Sequence, residues 1–243
     1  MDDASVNSSA GDGYTPMLPA DHVDRIRRWH DRAYREASAE AAVEHTERYL
    51  GRTLVIPPLV HPINRMSHLL GEAVLAEVRE GDRVLDMGTG SGVNAILAAS
   101  KSVEVVAVDI NPHALDAARA NAERNEVADR VTVRHSDVFS DVDGAFDLII
   151  FDPPFRWFTP RDLVEAAMAD GNYRALTTFF REARAHLTPH ARMLISFGTS
   201  GDLHYLRRLA DEAGFDVTVV AQESLVKDGW QVDYFAFRLT ANA

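Results

Sequence analysis

The chain has 243 residues, of which 46% are hydrophobic, with no cysteine and a formal net charge of −12. This length is enough for one large domain with a full hydrophobic core. The lack of cysteine excludes disulfides, thiolate metal sites and cysteine nucleophiles. The acidic balance disfavours a long polyanion as partner, because nucleic-acid binding depends on clustered Lys and Arg that neutralise phosphates.

The start of the chain predicts a flexible tail. Residues 1–19 are polar, acidic and rich in Ser, Gly and Ala, with little to bury. They lack the basic start and apolar core of a secretory signal, and no run in the chain approaches the roughly 18 consecutive apolar residues of a membrane span. We therefore expect a cytoplasmic protein without a membrane partner.

A helical extension is predicted after the tail. Apolar residues recur at three- and four-residue spacing from Asp21 to about Leu50, and Gly51 can end this helix. Three prolines between residues 54 and 62 then exclude helix and central strand alike, and a shorter helical pattern follows. We expect residues 20–76 to form an extension on the substrate side of the main domain.

From residue 77 to residue 243 the sequence alternates between strand and helix patterns. The predicted strands are residues 83–87, 103–108, 131–134, 146–151, 192–197, 216–221 and 234–239. The predicted helices are residues 93–100, 112–125, 173–187 and 203–213. The first five strands are short apolar runs, which is typical of strands buried on both faces. The pattern predicts a doubly wound, mostly parallel α/β sheet of seven strands that ends in an antiparallel hairpin.

Gly88, Gly90 and Gly92 follow the first of these strands at alternate positions. Glycines at this spacing let the backbone turn tightly and let a ligand approach main-chain atoms. Structural turns and dinucleotide sites share the pattern, but the dinucleotide fingerprint needs Gly or Ala where Val93 stands. The carboxylate of Asp86, just before the glycines, would repel a pyrophosphate, so the loop favours a cationic ligand.

Carboxylates also stand at the ends of the next two strands. Asp109 can accept hydrogen bonds from both hydroxyls of a ribose, a device that NAD enzymes share. Alternatively, Asp109 or Asn111 caps the helix that follows. Asp137, with Val138 beside it, is in position to meet the amine and ring edge of an adenine, although an isolated Asp there would be only a turn residue. Together these positions predict an adenosine-binding edge.

The fourth strand is followed by the run Asp152-Pro153-Pro154-Phe155. Two prolines stiffen the loop and remove two main-chain donors, so that a carbonyl and a side-chain oxygen can act as acceptors for the two hydrogens of a planar NH2 group. The phenylalanine offers a flat surface on which a planar amide or base can stack. Alternatively, this is a proline-stiffened loop after a buried strand, with Phe155 in the core.

Four segments in this order resemble class I S-adenosylmethionine-dependent methyltransferases. They are residues 84–99, 108–112, 135–139 and 152–155. More narrowly, they are similar to the branch that contains the release-factor glutamine methyltransferases and the adenine- or guanine-N methyltransferases. The resemblance covers about residues 70–197 and implies a Rossmann-like seven-stranded sheet, S-adenosyl-L-methionine as cofactor and S-adenosyl-L-homocysteine as product.

The resemblance also implies a set of site residues. The cofactor-binding residues are Asp86, near the methionine amino group, Asp109, at the ribose, and Asp137, at the adenine amine, together with Gly88, Thr89, Gly90, Gly92, Ile110 and Val138. The catalytic residues are Asp152, Pro153, Pro154 and Phe155. The glutamine methyltransferases carry Asn where Asp152 stands. A carboxylate there is a stronger acceptor, which can hold a cationic or more basic amine or take a proton after transfer.

Three further residues are candidates for substrate contact. Trp157 lies two residues after the Asp152–Phe155 loop, called the acceptor loop below, and His61 and Arg65 precede the main domain where related enzymes place a substrate-facing arm. Packing against the N-terminal helices is the alternative for Trp157, and a structural role is the alternative for the other two. No histidines have metal-ligand spacing, so no metal is expected.

The leading hypothesis is a methyltransferase that N-methylates a planar amine or amide of a small molecule or protein. A base N-methyltransferase acting on RNA or DNA is the alternative, and it is favoured by the Asp-Pro-Pro-Phe loop and by five early arginines. These are Arg25, Arg27, Arg28, Arg32 and Arg35, which can equally form a solvated helix face. A binding module that keeps the cofactor fold without methyl transfer is the non-catalytic alternative.

Overall fold

The computed structural model describes residues 14–227 and 229–242. The helices are α1 (Ala20–Glu40), α2 (His68–Glu77), α3 (Val93–Ala98), α4 (Pro112–Arg124), α5 (Leu163–Ala166), α6 (Arg174–Ala183) and α7 (Leu203–Glu212). The strands are β1 (His45–Tyr49), β2 (Arg52–Ile56), β3 (Arg83–Met87), β4 (Glu104–Asp109), β5 (Val131–His135), β6 (Phe146–Phe151), β7 (Leu187–Gly198), β8 (Phe215–Lys227) and β9 (Trp230–Ala241). The predicted strands and helices of residues 77–243 are all present.

The main sheet has seven strands in the order β5-β4-β3-β6-β7-β9-β8. The first five strands along the sheet run parallel, and β9 pairs antiparallel with both β7 and β8. The predicted α/β fold with a C-terminal antiparallel hairpin is therefore confirmed. The chain builds outward from β3 through β4 to β5 and then returns to place β6 on the other side of β3. This reversal is a topological switch point, where the carboxyl ends of α/β strands form a ligand crevice.

Each central strand contributes alternate residues to two separate cores. Leu85, Val106 and Ile149 pack on the face covered by α6 and α7. Their neighbours Val84 and Val105 pack on the opposite face, which α2 and α3 cover. Burial on both faces explains why these strands are continuous apolar runs and not polar–apolar alternations.

The N-terminal extension differs from the prediction of helix from Asp21 to about Leu50. α1 ends at Glu40, and β1 and β2 form an antiparallel hairpin. Leu50 and Gly51 form its two-residue turn with φ angles of +47° and +78°, so Gly51 reverses a hairpin where it was predicted to end a helix. The helical prediction is wrong after Glu40 because burial in β1 and β2 alternates with a period of two.

Asparagine side chains hold this hairpin and the segment after it against α4. Asn121 accepts a hydrogen bond from the Val55 amide and donates one to the Val55 carbonyl, both at 2.8 Å. Asn111 donates to the carbonyl of Leu59 at 2.8 Å. The proline-rich segment is thereby placed beside the carboxyl edge of the main sheet.

The predicted tail is anchored where it enters the described region. Residues 1–13 lie outside the described residues. The Tyr14 hydroxyl and the Met17 amide donate to the carboxylate of Asp202 at 2.6 Å and 2.7 Å, so these two residues of the predicted flexible tail contact the main domain. Among the described residues, no helix combines the length and apolarity needed to cross a membrane.

Candidate active site

The loop after β3 uses its glycines in two ways. Gly88, Gly90 and Gly92 all have positive φ, at +68°, +54° and +85°. A Cβ on Gly92 would come within 2.9 Å of the Ala118 Cα, so this glycine permits the close approach of α3 to α4. A Cβ on Gly90 would meet nothing within 4 Å. The middle of the loop therefore faces open space, where a ligand can approach the backbone.

Asp86 is a carboxylate buried beneath this loop, with only 1% of its surface exposed. Its Oδ2 accepts hydrogen bonds from the Thr89 hydroxyl at 2.6 Å and from the Ala95 amide at 3.0 Å. Burial, together with the charges of Asp109 and Asp152, raises the pKa of Asp86 to about 7. Three carboxylates that act on one another at one sheet edge favour a cationic ligand and disfavour an anionic one.

Two main-chain amides fix the orientation of the Asp109 carboxylate at the end of β4. Its Oδ2 accepts from the Gly90 amide at 2.9 Å and its Oδ1 accepts from the Asn111 amide at 2.8 Å. The cap of α4 is Asn111, whose side chain accepts from the His113 amide at 3.0 Å. The side chain of Ile110 is 50% exposed, which leaves an apolar surface at the same edge. Asn111 therefore caps α4, and the neighbouring Asp109 carboxylate remains at the sheet edge for a ligand to approach.

Asp137 lies after β5 at the outer end of the edge. Its carboxylate is half-buried and pairs with the Arg174 guanidinium at 3.0 Å. Val138 is buried and has a φ of +52°, so the backbone turns sharply here. Arg174 was missed by the sequence reasoning, because it comes 37 residues later and no local pattern marks it.

The acceptor loop is adjacent to the glycine loop because β6 pairs with β3. Phe151 is the register partner of Met87, so Asp152 and Gly88 leave neighbouring strands at the same level. The hydroxyl of Ser196, on β7, donates to Oδ1 of Asp152. Burial raises the pKa of the Asp152 carboxyl. The sheet register thus brings the two predicted loops together.

A cavity opens in front of Asp152 and Phe155, between the loop before α2 and the ends of β7 and β9. The residues that line it are Asn64, Met66, Ser67, Leu69, Leu70, Asp152, Phe155, Ser196, Phe197, Tyr234 and Phe235. The cavity joins an acceptor carboxylate to aromatic and apolar walls, which is the composition expected for a small planar ligand. Ser196 and Tyr234 were not predicted as site residues, because both lie in strands and their direction depends on register.

A hydrogen bond to its carbonyl and the packing of its ring hold Phe155 in place. Its carbonyl accepts a hydrogen bond from the Tyr173 hydroxyl at 2.6 Å, and that hydroxyl accepts from the Asp202 amide at 2.8 Å. The Phe155 ring lies 5.0 Å from that of Phe197 and 6.2 Å from that of Tyr234, measured between centroids. The ring therefore lines the cavity and also packs against neighbouring rings. This arrangement fits both sequence-based interpretations of Phe155, as a surface for stacking and as a core residue.

The three candidate substrate residues lie in different surroundings. His61 is half-buried near Arg156, whose charge acts on it, and its Nδ1 is buried without a hydrogen-bond partner. Arg65 is exposed, next to two residues that line the cavity. Trp157 is buried in an aromatic cluster 5.5 Å from Tyr14 and 5.9 Å from Tyr173. It is not among the residues that line the cavity, so its surroundings favour the packing alternative, and its contact with substrate stays a prediction.

The arrangement fits an adenosine-containing cation. Asp109 offers both carboxylate oxygens in a fixed orientation, the open side of Gly90 admits a ligand, and buried Asp86 favours a positive charge nearby. These are the chemical features of S-adenosylmethionine. Within residues 14–227 and 229–242, no group of three or more His, Asp or Glu side chains is arranged to hold a metal ion.

The comparison with protein families agrees with this geometry. A family model described as the methyltransferase small domain matches residues 62–224, which is more than half of the chain. The chain therefore belongs to the methyltransferase small domain family. This places it among the S-adenosylmethionine-dependent class I methyltransferases.

Curated relatives share a limited part of the chain. It is 40% identical over 92 residues to a ribosomal protein L11 methyltransferase of Thermotoga neapolitana, which covers 37% of this chain and 33% of the relative. It is 35% identical over 115 residues to a ribosomal RNA small subunit methyltransferase C of Haemophilus influenzae, covering 46% and 31%. It is 42% identical over 82 residues to a putative protein N5-glutamine methyltransferase of Methanocaldococcus jannaschii, covering 33% and 40%. The matched part is about a third of the length of these relatives.

Solved structures agree in fold. A ribosomal protein L11 methylase from Lactobacillus delbrueckii subsp. bulgaricus superposes with a TM-score of 0.58 at 19% identity, covering 77% of this chain and 84% of that chain. Sequence identity at this level supports the fold alone. The methyl acceptor must therefore be inferred from the site.

Proposed function

We propose that this protein transfers a methyl group from S-adenosylmethionine to the nitrogen of a planar amine or amide, carried by a small molecule or a protein. The observation that supports this most directly is the pairing of β3 with β6, which sets the Asp152 loop beside the glycine loop and in front of a cavity. In this proposal, residues 20–76 are the substrate-side extension of a cofactor-binding domain that spans residues 77–243.

The cofactor-binding residues have distinct tasks. When bound, S-adenosylmethionine supplies an electrophilic methyl group on a positively charged sulfur. Asp109 would hold the ribose hydroxyls, Asp86 the methionine amino group, and Asp137 with Val138 the adenine. Ile110 would contact the adenine face, and the open backbone at Gly90 would admit the ligand.

The acceptor-binding residues position the nitrogen. Asp152 and a carbonyl of the loop would each accept one hydrogen of the NH2 group, which turns the nitrogen lone pair toward the methyl donor. The two prolines keep this pair of acceptors rigid, and the Phe155 ring limits the acceptor to a planar group. Positioning of this kind is the main contribution that the protein makes to the reaction.

Asp152 also suits the removal of a proton. Ser196 hydrogen-bonds Oδ1, so Oδ2 remains for the acceptor nitrogen. The nitrogen would gain the methyl group as S-adenosylhomocysteine leaves, and it must then lose one proton to become neutral again. Because burial raises the pKa of the Asp152 carboxyl, its Oδ2 is a better proton acceptor than an ordinary aspartate.

Two measurements test the proposal. Calorimetric titration with S-adenosylmethionine and, separately, with NAD should give binding of the former alone. Radiolabelled methyl transfer to cell extract separated into protein, RNA and small molecules should then label the protein or small-molecule fraction. Binding of NAD alone, or of neither ligand, would remove the proposal.

The variant Asp152→Ala separates an enzyme from a binding module. It should abolish methyl transfer to the labelled fraction, while the protein still binds S-adenosylmethionine. Asp116→Ala, on the exposed side of α4, is the matched control and should behave as wild type. If the Asp152→Ala protein retains full transfer activity, the acceptor loop is wrongly assigned. If wild type binds the cofactor and labels no fraction, the chain is a binding module.

A second candidate is N-methylation of an RNA base. It is supported by the ribosomal RNA methyltransferase among the relatives and by the exposure of Arg25, Arg27, Arg28 and Arg35 on α1. The net charge of −12 opposes it. Label in the RNA fraction that falls steeply with added salt, and falls again when these arginines are replaced, would favour this candidate over the first.

A further inference from the structure

Arg156, the residue directly after the acceptor loop, is buried without a counter-ion. Only 8% of its surface is exposed, its Nη2 donates to the Ser200 hydroxyl at 3.1 Å, and its Nε is buried without a hydrogen-bond partner. Within the described residues, no carboxylate lies at ion-pair distance from it. By contrast, the buried Arg192, whose Nε is also without a hydrogen-bond partner, pairs with Asp82 at 2.6 Å. A buried cation without a partner is unfavourable, so it calls for an explanation.

A second unsatisfied group stands next to this arginine. His61 has a buried Nδ1 without a hydrogen-bond partner, and the charge of Arg156 acts on both His61 and Tyr234. Burial and the nearby guanidinium lower the pKa of His61 to about 4, so the imidazole is neutral at neutral pH and can offer one N–H. Tyr234 lines the same cavity as Asp152. Arg156 directly follows Phe155, which also lines that cavity, although neither Arg156 nor His61 is itself among the lining residues.

We propose that Arg156 and His61 form a subsite for an anionic group, a carboxylate or a phosphate, on a small-molecule methyl acceptor. This inference rests on the proposed function, since it assigns a second group of the acceptor to the same site. A guanidinium presents parallel donors that match the two oxygens of such a group, and the contact is strong where water is excluded. The acceptor would thus carry a planar amine or amide and an anion on one molecule.

The position of the two groups explains why the site would be selective. Asp152 binds N–H hydrogens and would repel an anion, whereas Arg156 binds an anion and would repel an ammonium group. The pair can therefore orient an acceptor end to end, with its nitrogen at Asp152 and its anion at Arg156. An acceptor without the anion would leave the buried guanidinium unpaired, which is the arrangement that discriminates best between similar substrates.

Arginine NMR tests the subsite directly. The Nε–H signal of Arg156 in the full, ¹⁵N-labelled chain is assigned by its loss in the Arg156→Lys variant. Sodium benzoate, phenyl phosphate and the neutral benzyl alcohol are then titrated at constant ionic strength. We expect a saturable shift of that signal with at least one of the two anions and none with benzyl alcohol. The responding anion tells carboxylate from phosphate, and no shift with either would overturn the inference.

Thermal unfolding separates a binding role from a structural one. Arg156→Met removes a buried charge at similar length, so we expect a Tm equal to or above that of wild type and loss of the anion-dependent rise in Tm. Arg181→Met, at an exposed arginine of α6 paired with Glu182, should keep that rise. A lower Tm for Arg156→Met together with an unchanged anion effect would show that Arg156 is a structural residue and would overturn the inference.

The same samples distinguish this inference from the proposed function. S-adenosylmethionine is titrated into wild type and Arg156→Met, which should bind it equally. Anion binding without cofactor binding would keep the subsite and remove the methyltransferase proposal. Cofactor binding without anion binding would keep the methyltransferase proposal and remove the subsite.

Discussion

Replacing Asp86 with Asn should stabilise the ligand-free protein and weaken cofactor binding. The carboxylate is fully buried, and burial together with Asp109 and Asp152 raises its pKa to about 7 from an ordinary 3.8. Since a tenfold change in proton affinity is about 1.4 kcal/mol, ionising Asp86 in the folded state costs about 4 kcal/mol. The amide oxygen of Asn can still accept from Thr89 and Ala95, so both hydrogen bonds survive.

The sign of this effect depends on pH. Because the folded-state pKa lies above the unfolded-state value, wild type loses stability as the pH rises from about 4 to about 7 and then levels off. The Asp86→Asn protein lacks this loss. The difference in the free energy of unfolding should therefore grow in favour of the variant by about 2–3 kcal/mol between pH 5 and pH 8. Urea unfolding followed by circular dichroism at both pH values measures it.

Cofactor affinity should move in the opposite direction. Calorimetry at pH 8 should show weaker binding of S-adenosylmethionine to Asp86→Asn, because the variant lacks the negative charge next to the ligand's amino group. Asp116→Asn, at an exposed position on α4, is the control and should differ from wild type equally at both pH values. If Asp86→Asn gains no stability between pH 5 and pH 8, or binds the cofactor as well as wild type, the electrostatic reasoning about this edge is refuted.

Three further substitutions test other parts of the structure. Asp109→Ala would remove the two charge-assisted hydrogen bonds proposed for the ribose, so calorimetry should show roughly 10- to 100-fold weaker cofactor binding. Unchanged affinity would reject the ribose assignment. Gly92→Ala places a Cβ 2.9 Å from the Ala118 Cα at a φ of +85°. The free energy of unfolding, measured with urea, should therefore fall by about 2 kcal/mol. The fall should be larger than in Gly90→Ala, because a Cβ at Gly90 meets open space. Glu165→Gln removes the charge of a buried carboxylate that contacts His30 of α1 at 2.7 Å and also accepts from Arg161, so urea unfolding should show a loss of about 2–3 kcal/mol. No loss would mean that the charge of Glu165 does not contribute to holding α1.

The sequence carried enough information to predict the main sheet but not the extension before it. Strands such as β3 and β6 are apolar runs that end at glycine or proline, and such local signals survive in the fold. The hairpin of β1 and β2 was missed because its hydrogen bonds to Asn121 come from a helix more than 60 residues later. An asparagine on a helix looks the same in a sequence whether or not a strand edge lies against it.

The candidate site was also predicted only in part. Asp86, Asp109 and Asp152 were predicted because each lies within one residue of the carboxyl end of a strand, where parallel strands bring their ends together. Ser196 and Arg156 were missed, although both lie next to residues that were predicted. Their roles depend on which way a side chain points and on whether a counter-ion is near, and neither property is encoded in local spacing.

The described N-terminal residues are connected to the acceptor loop by a chain of hydrogen bonds. Tyr14 donates to the Asp202 carboxylate, the Asp202 amide donates to the Tyr173 hydroxyl, and that hydroxyl donates to the Phe155 carbonyl. Neither Pro153 nor Pro154 has a main-chain donor, and the other attachments of the loop are the hydrogen bond from Ser196 to Asp152 and the packing of the Phe155 ring on Phe197. The described residues before α1 are thereby connected to the acceptor loop through hydrogen bonds, although none of them is among the residues that line the cavity.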